Sequence, residues 1–253
     1  MHKSVTFVGN GKMALALAKG LCETHAIEVI GRSHEALERF ETALGVPVKK
    51  TLYPDADLSG KIVLLCVKPA NLIEIRPYLK GKAEVLYSVL AGTPISTLQG
   101  VDARYYCRAM PNLAAEAGAS MTSLVGDSEI RNDAIALFNT IGFTLWLATE
   151  KELDIATALA GSGPAYLALA AEALCDGAVR EGLKRDDAMV LMRGLFAGFG
   201  ELIQTIHPAL LKDNVMSPGG TTAAGYGALE KGNVRNGFME AVKAAHEKAK
   251  AMR

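Results

Sequence analysis

The chain has 253 residues, half of them hydrophobic, and its 27 Lys and Arg residues balance its 27 Asp and Glu residues. This length accommodates one large domain or two modest ones, and the apolar half is enough to bury a core, so disorder is excluded as the main state. A net charge of zero argues against a large nucleic-acid footprint and against an anionic membrane as the main partner.

The N-terminus, Met1-His2-Lys3-Ser4, leads into a strand-like segment without the apolar stretch or the cleavage site of a signal peptide. No run of about 18 apolar residues is free of charges and helix breakers, so we expect no membrane-spanning helix. The cysteines are far apart and form no CxxC pair, which favours free thiols in a reducing compartment over disulfides or a zinc site. We therefore expect a soluble cytoplasmic protein that holds no metal.

The first 150 residues alternate apolar strand-like runs with helical patterns. A buried strand is predicted at 5–8 and a helix at 12–22. A second strand at 27–30 leads to Ser33, which is suited to cap a helix that runs through Leu44. Strand, helix, strand in this order predicts an α/β fold with a mostly parallel, Rossmann-type sheet. Further strands are predicted at 62–67, 84–89, 104–110, 121–125 and 144–147, with a helix near 129–139.

From residue 151 onward, Ala becomes more frequent and Val and Ile become scarcer. Ala is the best helix former and β-branched residues are poorer ones, so this part is predicted to be almost all helix. Asp186 is predicted to cap one of these helices. The change in composition divides the chain into domains 1–150 and 151–253. The predicted helices are 150–159, 164–181, 186–205, 221–231 and 234–252.

The helical part poses a packing problem. The run 165–171 is apolar nearly all round, which predicts a helix that is buried on most sides. About 100 residues offer little chain to cover it, because small domains bury a smaller share of their surface. We therefore predict an obligate homodimer that forms through the C-terminal helices.

The run from Gly9 to Ala14 follows the first strand and opens the first helix. It reads G-x-G-x-x-A, a variant of the dinucleotide-binding fingerprint. Its first glycine permits a tight turn, its second lets a pyrophosphate approach the backbone, and the helix N-terminus offers free N–H groups. Glycines that serve only the sterics of the turn are the alternative. The cofactor contacts expected here are Val8, Gly9, Asn10, Gly11, Lys12 and Met13.

The end of the second strand carries Gly31-Arg32-Ser33, where an NAD-preferring site usually places Asp or Glu on the ribose hydroxyls. No acid stands in this run to repel a 2′-phosphate, and Arg32 offers a permanently charged fork for it. Arg32 as a solvated charge and Ser33 as a helix cap are the alternatives. The sequence thus predicts a preference for NADPH, with NADH as the less favoured cofactor.

Two more loops follow predicted strands, and ligands of open α/β sheets bind outside the carboxyl ends of strands. Val67-Lys68-Pro69 ends the long apolar run, and we expect this loop to contact the cofactor through its backbone. Lys68 as a solvated charge is the alternative. Ala91-Gly92 follows the next strand, where small residues either admit the nicotinamide or form an ordinary turn.

The most specific segment is 217–222, Ser-Pro-Gly-Gly-Thr-Thr, which precedes a predicted helix. Its glycines and hydroxyl residues make an exposed run of backbone N–H groups, which is an anion nest suited to a carboxylate. A capped loop between two helices is the alternative reading.

The chain resembles the pyrroline-5-carboxylate reductases over nearly its whole length. The resemblance rests on 8–14, 67–69, Arg108-Ala109-Met110-Pro111-Asn112, the run from Gly161 to Tyr166 and 217–222. It implies a Rossmann domain followed by a helical dimerisation domain, often assembled into larger rings of dimers. It also implies NADPH-dependent reduction of the cyclic imine 1-pyrroline-5-carboxylate to L-proline, the last step of proline biosynthesis.

The same resemblance assigns roles to residues of the C-terminal part. It places the substrate carboxylate on loop 217–222, Thr222 near the ring nitrogen and Asn214 toward the cofactor. The expected substrate-binding residues are Ser217, Gly219, Gly220, Thr221 and Thr222, with Thr222 also catalytic.

Reduction of a cyclic imine requires a hydride at carbon and a proton on nitrogen. The substrate can enter as an iminium, so hydroxyls and amides suffice and no strong general acid is needed. The main task is then to orient the ring carbon against the nicotinamide. Two other functions stay open at this point: a reductase or hydroxyacid-type dehydrogenase with another substrate, and a redox-sensing module that binds NADPH without turnover.

Overall fold

The structure, a computed structural model, describes residues 4–252. The N-terminal Met1-His2-Lys3, on which the expectation about a signal peptide rests, and Arg253 lie outside the described residues. By internal contacts the chain forms two compact units. The first contains the residues up to Pro164 and the segment from Ala244 onward, and the second is Ala165–Lys243. The predicted domain boundary between residues 150 and 151 follows composition instead, and it stays a prediction.

One sheet of eight strands organises the first unit within residues 4–252. The runs predicted to be strands all form strands, with slightly different bounds. The additional strand begins Lys49-Lys50, lies at the edge of the sheet and lacks an apolar run. Lys49 is exposed, whereas Lys50 is half-buried and pairs with Glu38 and Glu41. The strands are β1 (Ser4–Val8), β2 (Ala26–Gly31), β3 (Lys49–Leu52), β4 (Ile62–Leu65), β5 (Ala83–Ser88), β6 (Ala103–Met110), β7 (Ser120–Gly126) and β8 (Gly142–Trp146).

The order of the strands across the sheet is β3-β2-β1-β4-β5-β6-β7-β8. Its first six members have the doubly wound order of dinucleotide-binding folds. All neighbouring pairs are parallel except β6 and β7, where Arg108 lies opposite Val125. The prediction of a mostly parallel Rossmann-type sheet is confirmed. The carboxyl ends of β1, β2, β4 and β5 therefore lie side by side along one edge.

Both faces of the sheet are covered. Along β4, Leu64 belongs to one buried cluster, whereas Val63 and Leu65 belong to another, because successive side chains point to opposite faces. The first cluster includes Leu17 and Phe40 of the covering helices. The helices of this part are α1 (Lys12–Leu21), α2 (His34–Leu44), α3 (Leu72–Ile75), α4 (Ile95–Leu98), α5 (Arg131–Phe138) and α6 (Glu150–Ala156).

The remaining helices are those of the C-terminal part, which is all helical between its turns, as predicted. One helical cap differs from expectation, and one helix is additional. Lys184, not Asp186, is the N-cap of the second of these helices, so Asp186 lies in the first turn, where its charge favours the positive helix end. His207 caps an additional short helix by accepting a hydrogen bond from the Ala209 N–H at 3.3 Å. The helices are α7 (Gly163–Arg180), α8 (Arg185–Leu202), α9 (Pro208–Val215), α10 (Thr221–Lys231) and α11 (Val234–Lys250).

The apolar surface of α7 is exposed in the single chain, where the sequence predicts a helix buried on most sides. Leu167 and Leu169 are 54% and 66% exposed, and Cys175 is the residue of α7 that is fully buried. By length and composition, the continuous helical stretch Glu150–Arg180 would be long and apolar enough to cross a membrane, the one such stretch within residues 4–252. One chain alone therefore does not bury this helix. The prediction of a second copy rests on this lack of cover.

Candidate functional site

The first glycine of the fingerprint is fixed by its backbone and its neighbours. Gly9 has a φ of +104°, and a Cβ there would lie 3.0 Å from the backbone carbon and oxygen of Cys66. Its N–H donates to the Ile30 carbonyl at 2.9 Å, which ties the loop to β2. Gly9 therefore permits both the left-handed turn and the close approach of β1 to the end of β4.

Gly11 serves a different purpose. It is the N-cap of α1 with a φ of −80°, a conformation open to any residue, and a Cβ there would meet no heavy atom of residues 4–252 within 4 Å. The first turn of α1 leaves backbone N–H groups without helical partners, and they point to this open space. The missing side chain leaves room where N–H groups and the helix dipole favour an anion, so a pyrophosphate at this place stays the prediction.

Asn10 and Ser33 hold the loop and the second helix in place. Asn10 Nδ2 donates to the Ala36 carbonyl at 3.0 Å, and Ser33 Oγ accepts from the Ala36 N–H at 3.4 Å. The predicted cap of α2 is thereby confirmed. A Cβ at Gly31 would lie 2.8 Å from Leu37, so this glycine lets α2 pack closely on the end of β2.

Arg32 stands at the carboxyl end of β2 with its side chain 67% exposed, which leaves the guanidinium accessible to a phosphate. The run 31–33 contains no acid, but one is brought to it from another segment. Glu74 of α3 brings its carboxylate to 3.4 Å from Arg32 Nη2. Sequence reasoning misses Glu74 because it lies 42 residues away along the chain.

The other two predicted cofactor loops occupy the same sheet edge. Val67 Cγ1 lies 3.0 Å from the Cβ position of Gly9, and the exposed Lys68 caps a short 3₁₀ turn. Gly92 is buried with a φ of +66°, and a Cβ there would lie 2.6 Å from Met252 Cβ. The absence of a side chain at Gly92 therefore serves contact with the C-terminal segment, and a nicotinamide role for Ala91 and Gly92 stays a prediction.

The predicted anion loop lies in the second unit. The Gly220 N–H donates to the Ser217 carbonyl at 3.0 Å, and Gly219 has a φ of +70°. With Pro218 at its second position, this is the pattern of a type II turn. A Cβ at Gly220 would lie 2.4 Å from Ser217 Oγ, so the glycine also makes room for that hydroxyl.

The turn opens directly into α10, whose N-cap is Gly220. Glycine has no side chain to occupy the first N–H groups, so they remain available to a ligand together with the exposed Thr221 and Thr222. Asn214 is exposed near the end of α9, before the turn. The structure thus brings Ser217, Gly219, Gly220, Thr221 and Thr222 together around one helix N-terminus.

The two helices that flank this turn are connected across it. Lys212 Nζ of α9 lies 5.2 Å above the ring centroid of Tyr226 on α10. The Tyr226 hydroxyl bonds to Glu230, and Arg235 bonds to both of them. The hydrogen bond with Glu230, followed by desolvation, raises the pKa of Tyr226. The phenol therefore stays neutral near pH 7, and the ring helps to set the spacing of α9 and α10.

The arrangement of the His, Cys, Asp and Glu side chains bears on whether the protein could hold a metal. In the part of the chain that the structure describes, no three His, Cys, Asp or Glu side chains are grouped as metal ligands would be. All four cysteines are free thiols, and desolvation raises the pKa of the Cys66 and Cys107 thiols well above the usual range. These thiols therefore remain protonated.

Two family models match the chain. Residues 150–252 match the family described as pyrroline-5-carboxylate reductase dimerisation, and residues 4–92 match that described as NADP oxidoreductase, coenzyme F420-dependent. The pyrroline-5-carboxylate reductase of Thermus thermophilus is 38% identical, over 95% of each chain.

Solved structures agree with this similarity. A pyrroline-5-carboxylate reductase from Coxiella burnetii superposes with a TM-score of 0.85 at 29% identity, covering 100% of this chain and 99% of the other. A pyrroline carboxylate reductase from Plasmodium falciparum with NADP bound gives a TM-score of 0.81 at 30% identity, covering 99% and 98%.

Proposed function

This chain belongs to the pyrroline-5-carboxylate reductase family, and from that premise we infer that it reduces 1-pyrroline-5-carboxylate to L-proline with NADPH. It is an NADP-dependent oxidoreductase that carries out the last step of proline biosynthesis. The observation that carries this conclusion is the similarity to such reductases over almost the whole chain. The residues that the two family models match contain the cofactor loop and the substrate loop.

On the cofactor side, the loop of Gly9 to Met13 holds the pyrophosphate, and Arg32 with Ser33 holds the 2′-phosphate. When bound, NADPH supplies the hydride. The N–H groups at the start of α1 and the Arg32 guanidinium neutralise the cofactor phosphates, and the backbone of Val67 to Pro69 borders it. The family resemblance implies a cofactor contact for Asn214, and we include that contact in the proposal.

On the substrate side, the turn at 217–222 holds the carboxylate of the ring. The N–H groups of Thr221 and Thr222 and the Ser217 hydroxyl donate hydrogen bonds to it, while the Gly220 N–H closes the turn on the Ser217 carbonyl and Gly220 leaves room for the ligand. The Thr222 hydroxyl is placed at the ring nitrogen, where it fixes the orientation of the iminium. Because the substrate arrives protonated, these neutral groups complete the reaction by orientation and by charge stabilisation.

The match to a dimerisation family indicates that the chain associates with itself. The exposed apolar side chains of α7 supply surface for that contact, and α8 adds Val190, Leu191 and Leu195. We extend this to a ring of dimers in the cytoplasm. Sedimentation velocity at micromolar protein tests it: a dimer without larger species would exclude the ring, and a stable folded monomer would exclude both.

The activity is tested by mixing the protein with NADPH and racemic 1-pyrroline-5-carboxylate and following the absorbance of the reduced nicotinamide. We expect loss of absorbance that depends on the imine, with proline as the product. Oxidation of NADPH that occurs only with another imine or with a keto acid would indicate a different reductase. NADPH binding without turnover on any of them would indicate a sensing module.

A further inference from the structure

The strongest feature that the reaction leaves unexplained is the acid beside Arg32. Arg32 Nη2 lies 3.4 Å from Glu74 Oε1 and 3.5 Å from Glu74 Oε2, so the carboxylate faces the guanidinium with both oxygens. The two side chains are 67% and 65% exposed, so neither is locked in the core. A cofactor phosphate that binds the Arg32 guanidinium would therefore compete with the Glu74 carboxylate.

Tyr53 completes this group. Its ring stacks on Tyr78, with centroids 6.5 Å apart. Burial raises the pKa of the Tyr53 phenol, and the nearby Arg32 lowers it while Glu74 raises it by less. The phenol therefore stays neutral near pH 7. The negative charge that faces Arg32 in this group is thus the carboxylate of Glu74.

In dinucleotide sites that prefer NAD, a carboxylate at the end of β2 accepts the ribose hydroxyls and repels a 2′-phosphate. Here β2 ends in Arg32, and the carboxylate arrives from α3 instead. We propose that Glu74 sets the balance between NADPH and NADH in this enzyme. It pairs with Arg32 when the ribose carries only a hydroxyl, and it must release Arg32 when a 2′-phosphate binds.

This inference rests on the proposed function, because it presumes the dinucleotide site at the carboxyl edge of the sheet. A 2′-phosphate carries nearly two negative charges at pH 7. Arg32 therefore strengthens the binding of this phosphate and Glu74 weakens it, whereas the binding of an unphosphorylated ribose depends little on the net charge. Both side chains are exposed, so the effect is modest and is screened by salt.

The test is Glu74→Gln, which removes the charge and keeps the shape. Dissociation constants of NADPH and NADH are measured by titrating the fluorescence of the reduced nicotinamide, at low and at high salt. We expect NADPH to bind about two- to five-fold more tightly at low salt, in line with one exposed ion pair, and NADH to change less. In an Arg32→Ala background, Glu74→Gln should have a smaller effect, because the pair is already broken.

The matched control is Glu84→Gln. It removes an exposed carboxylate that lies 3.1 Å from Arg104 Nη1, and this ion pair is not at the carboxyl edge of the sheet. An unchanged ratio of NADPH to NADH affinity in Glu74→Gln, or weaker NADPH binding, would overturn the role of Glu74 while leaving the proposed function intact. If the wild-type protein binds neither cofactor, the proposed function fails first, and the role of Glu74 falls with it.

Discussion

Arg108 on β6 donates to Glu150 Oε1 on α6 at 2.8 Å, although 42 residues separate them. The guanidinium is buried and also bonds to the buried Asp154 at 3.3 Å. The same Glu150 oxygen accepts the N–H of Ile95 at 3.0 Å, at the start of α4. One arginine therefore connects the sheet with α6 and, through Glu150, with the loop that follows β5. This gives a structural role to the Arg108-Ala109-Met110-Pro111-Asn112 segment.

Replacement of Arg108 should destabilise the protein strongly. Arg108→Met would leave Asp154 buried beside an apolar side chain, and we expect a loss of about 3 kcal/mol or more in the free energy of unfolding, measured in urea. Arg104→Met is the control, because it breaks an exposed pair worth less than about 1 kcal/mol. Equal losses in the two variants would contradict the role of Arg108. If Arg108→Met does not fold, Arg108→Lys provides the same comparison in a milder form.

The two fingerprint glycines should differ in what their replacement damages. Gly9→Ala forces a side chain into a φ of +104° against the backbone of Cys66, so we expect a loss of about 1–3 kcal/mol in the free energy of unfolding. Gly11→Ala should cost less than about 1 kcal/mol, because its φ is ordinary and its Cβ meets open space.

Gly11→Ala should nevertheless weaken NADPH binding about tenfold, or about 1.4 kcal/mol, since the methyl group fills the space of the pyrophosphate. Urea unfolding and fluorescence titration separate the two effects. Wild-type affinity for NADPH in Gly11→Ala would place the pyrophosphate elsewhere.

Thr222→Ala tests the substrate loop. Loss of one hydrogen bond at the ring nitrogen should lower kcat about tenfold, the equivalent of a little over 1 kcal/mol, while the dissociation constant of NADPH stays the same. Thr205→Ala, an exposed threonine outside the loop, is the control and should keep wild-type kinetics. If turnover in Thr222→Ala equals that of the control, the hydroxyl has no part in the reaction.

Glu28 should make the free energy of unfolding depend on pH in the acidic range. Burial by itself raises the pKa of its carboxyl, but hydrogen bonds from Lys61, Lys49, Thr6 and Thr51 outweigh burial and bring the pKa below its ordinary value of 4.5. A carboxyl with a lowered pKa in the folded state stabilises the protein fully above the unfolded pKa. That contribution is lost as the pH falls below about 4.5 toward the folded value.

The comparison is Glu28→Gln. At pH 7 it should lower the free energy of unfolding by about 1–3 kcal/mol, because Lys61 at 2.7 Å loses a charged, buried acceptor. The difference from wild type should shrink in unfolding experiments below pH 4. A difference that stays constant from pH 7 to pH 3 would show that the charge of Glu28 does not matter.

Local patterns were enough to predict most of the fold. The apolar run 62–67 predicts a buried strand, and the side chains of that strand lie in two clusters, one on each face of the sheet. Ser33 caps α2 as its sequence position predicts, because a cap depends on neighbours three residues away. The helix after His207 is not among the predicted helices, although Pro208 occupies its first turn, where a missing N–H is tolerated.

The glycine turns were predictable for the same local reason. Positive φ angles at Gly9 and Gly219 follow from the turns that their neighbours form. Contacts between distant residues were not predictable. Nothing in a single sequence pairs Arg32 with Glu74 or Arg108 with Asp154, because these pairs depend on how the strands are ordered. The exposed face of α7 is a different case, since its apolar pattern led to the prediction of a second copy, and the single chain leaves that face uncovered.

The reversed direction of β7 has a consequence for folding. Among the neighbouring strands of residues 4–252, β6 and β7 are joined by a short connection, whereas β2, α2 and β3 lie between β1 and β4 along the chain. Loop-closure entropy is smallest for nearby segments, so the β6–β7 pair is the natural early nucleus. The nucleotide-binding edge, which needs β1 beside β4, is then among the last parts of the sheet to assemble.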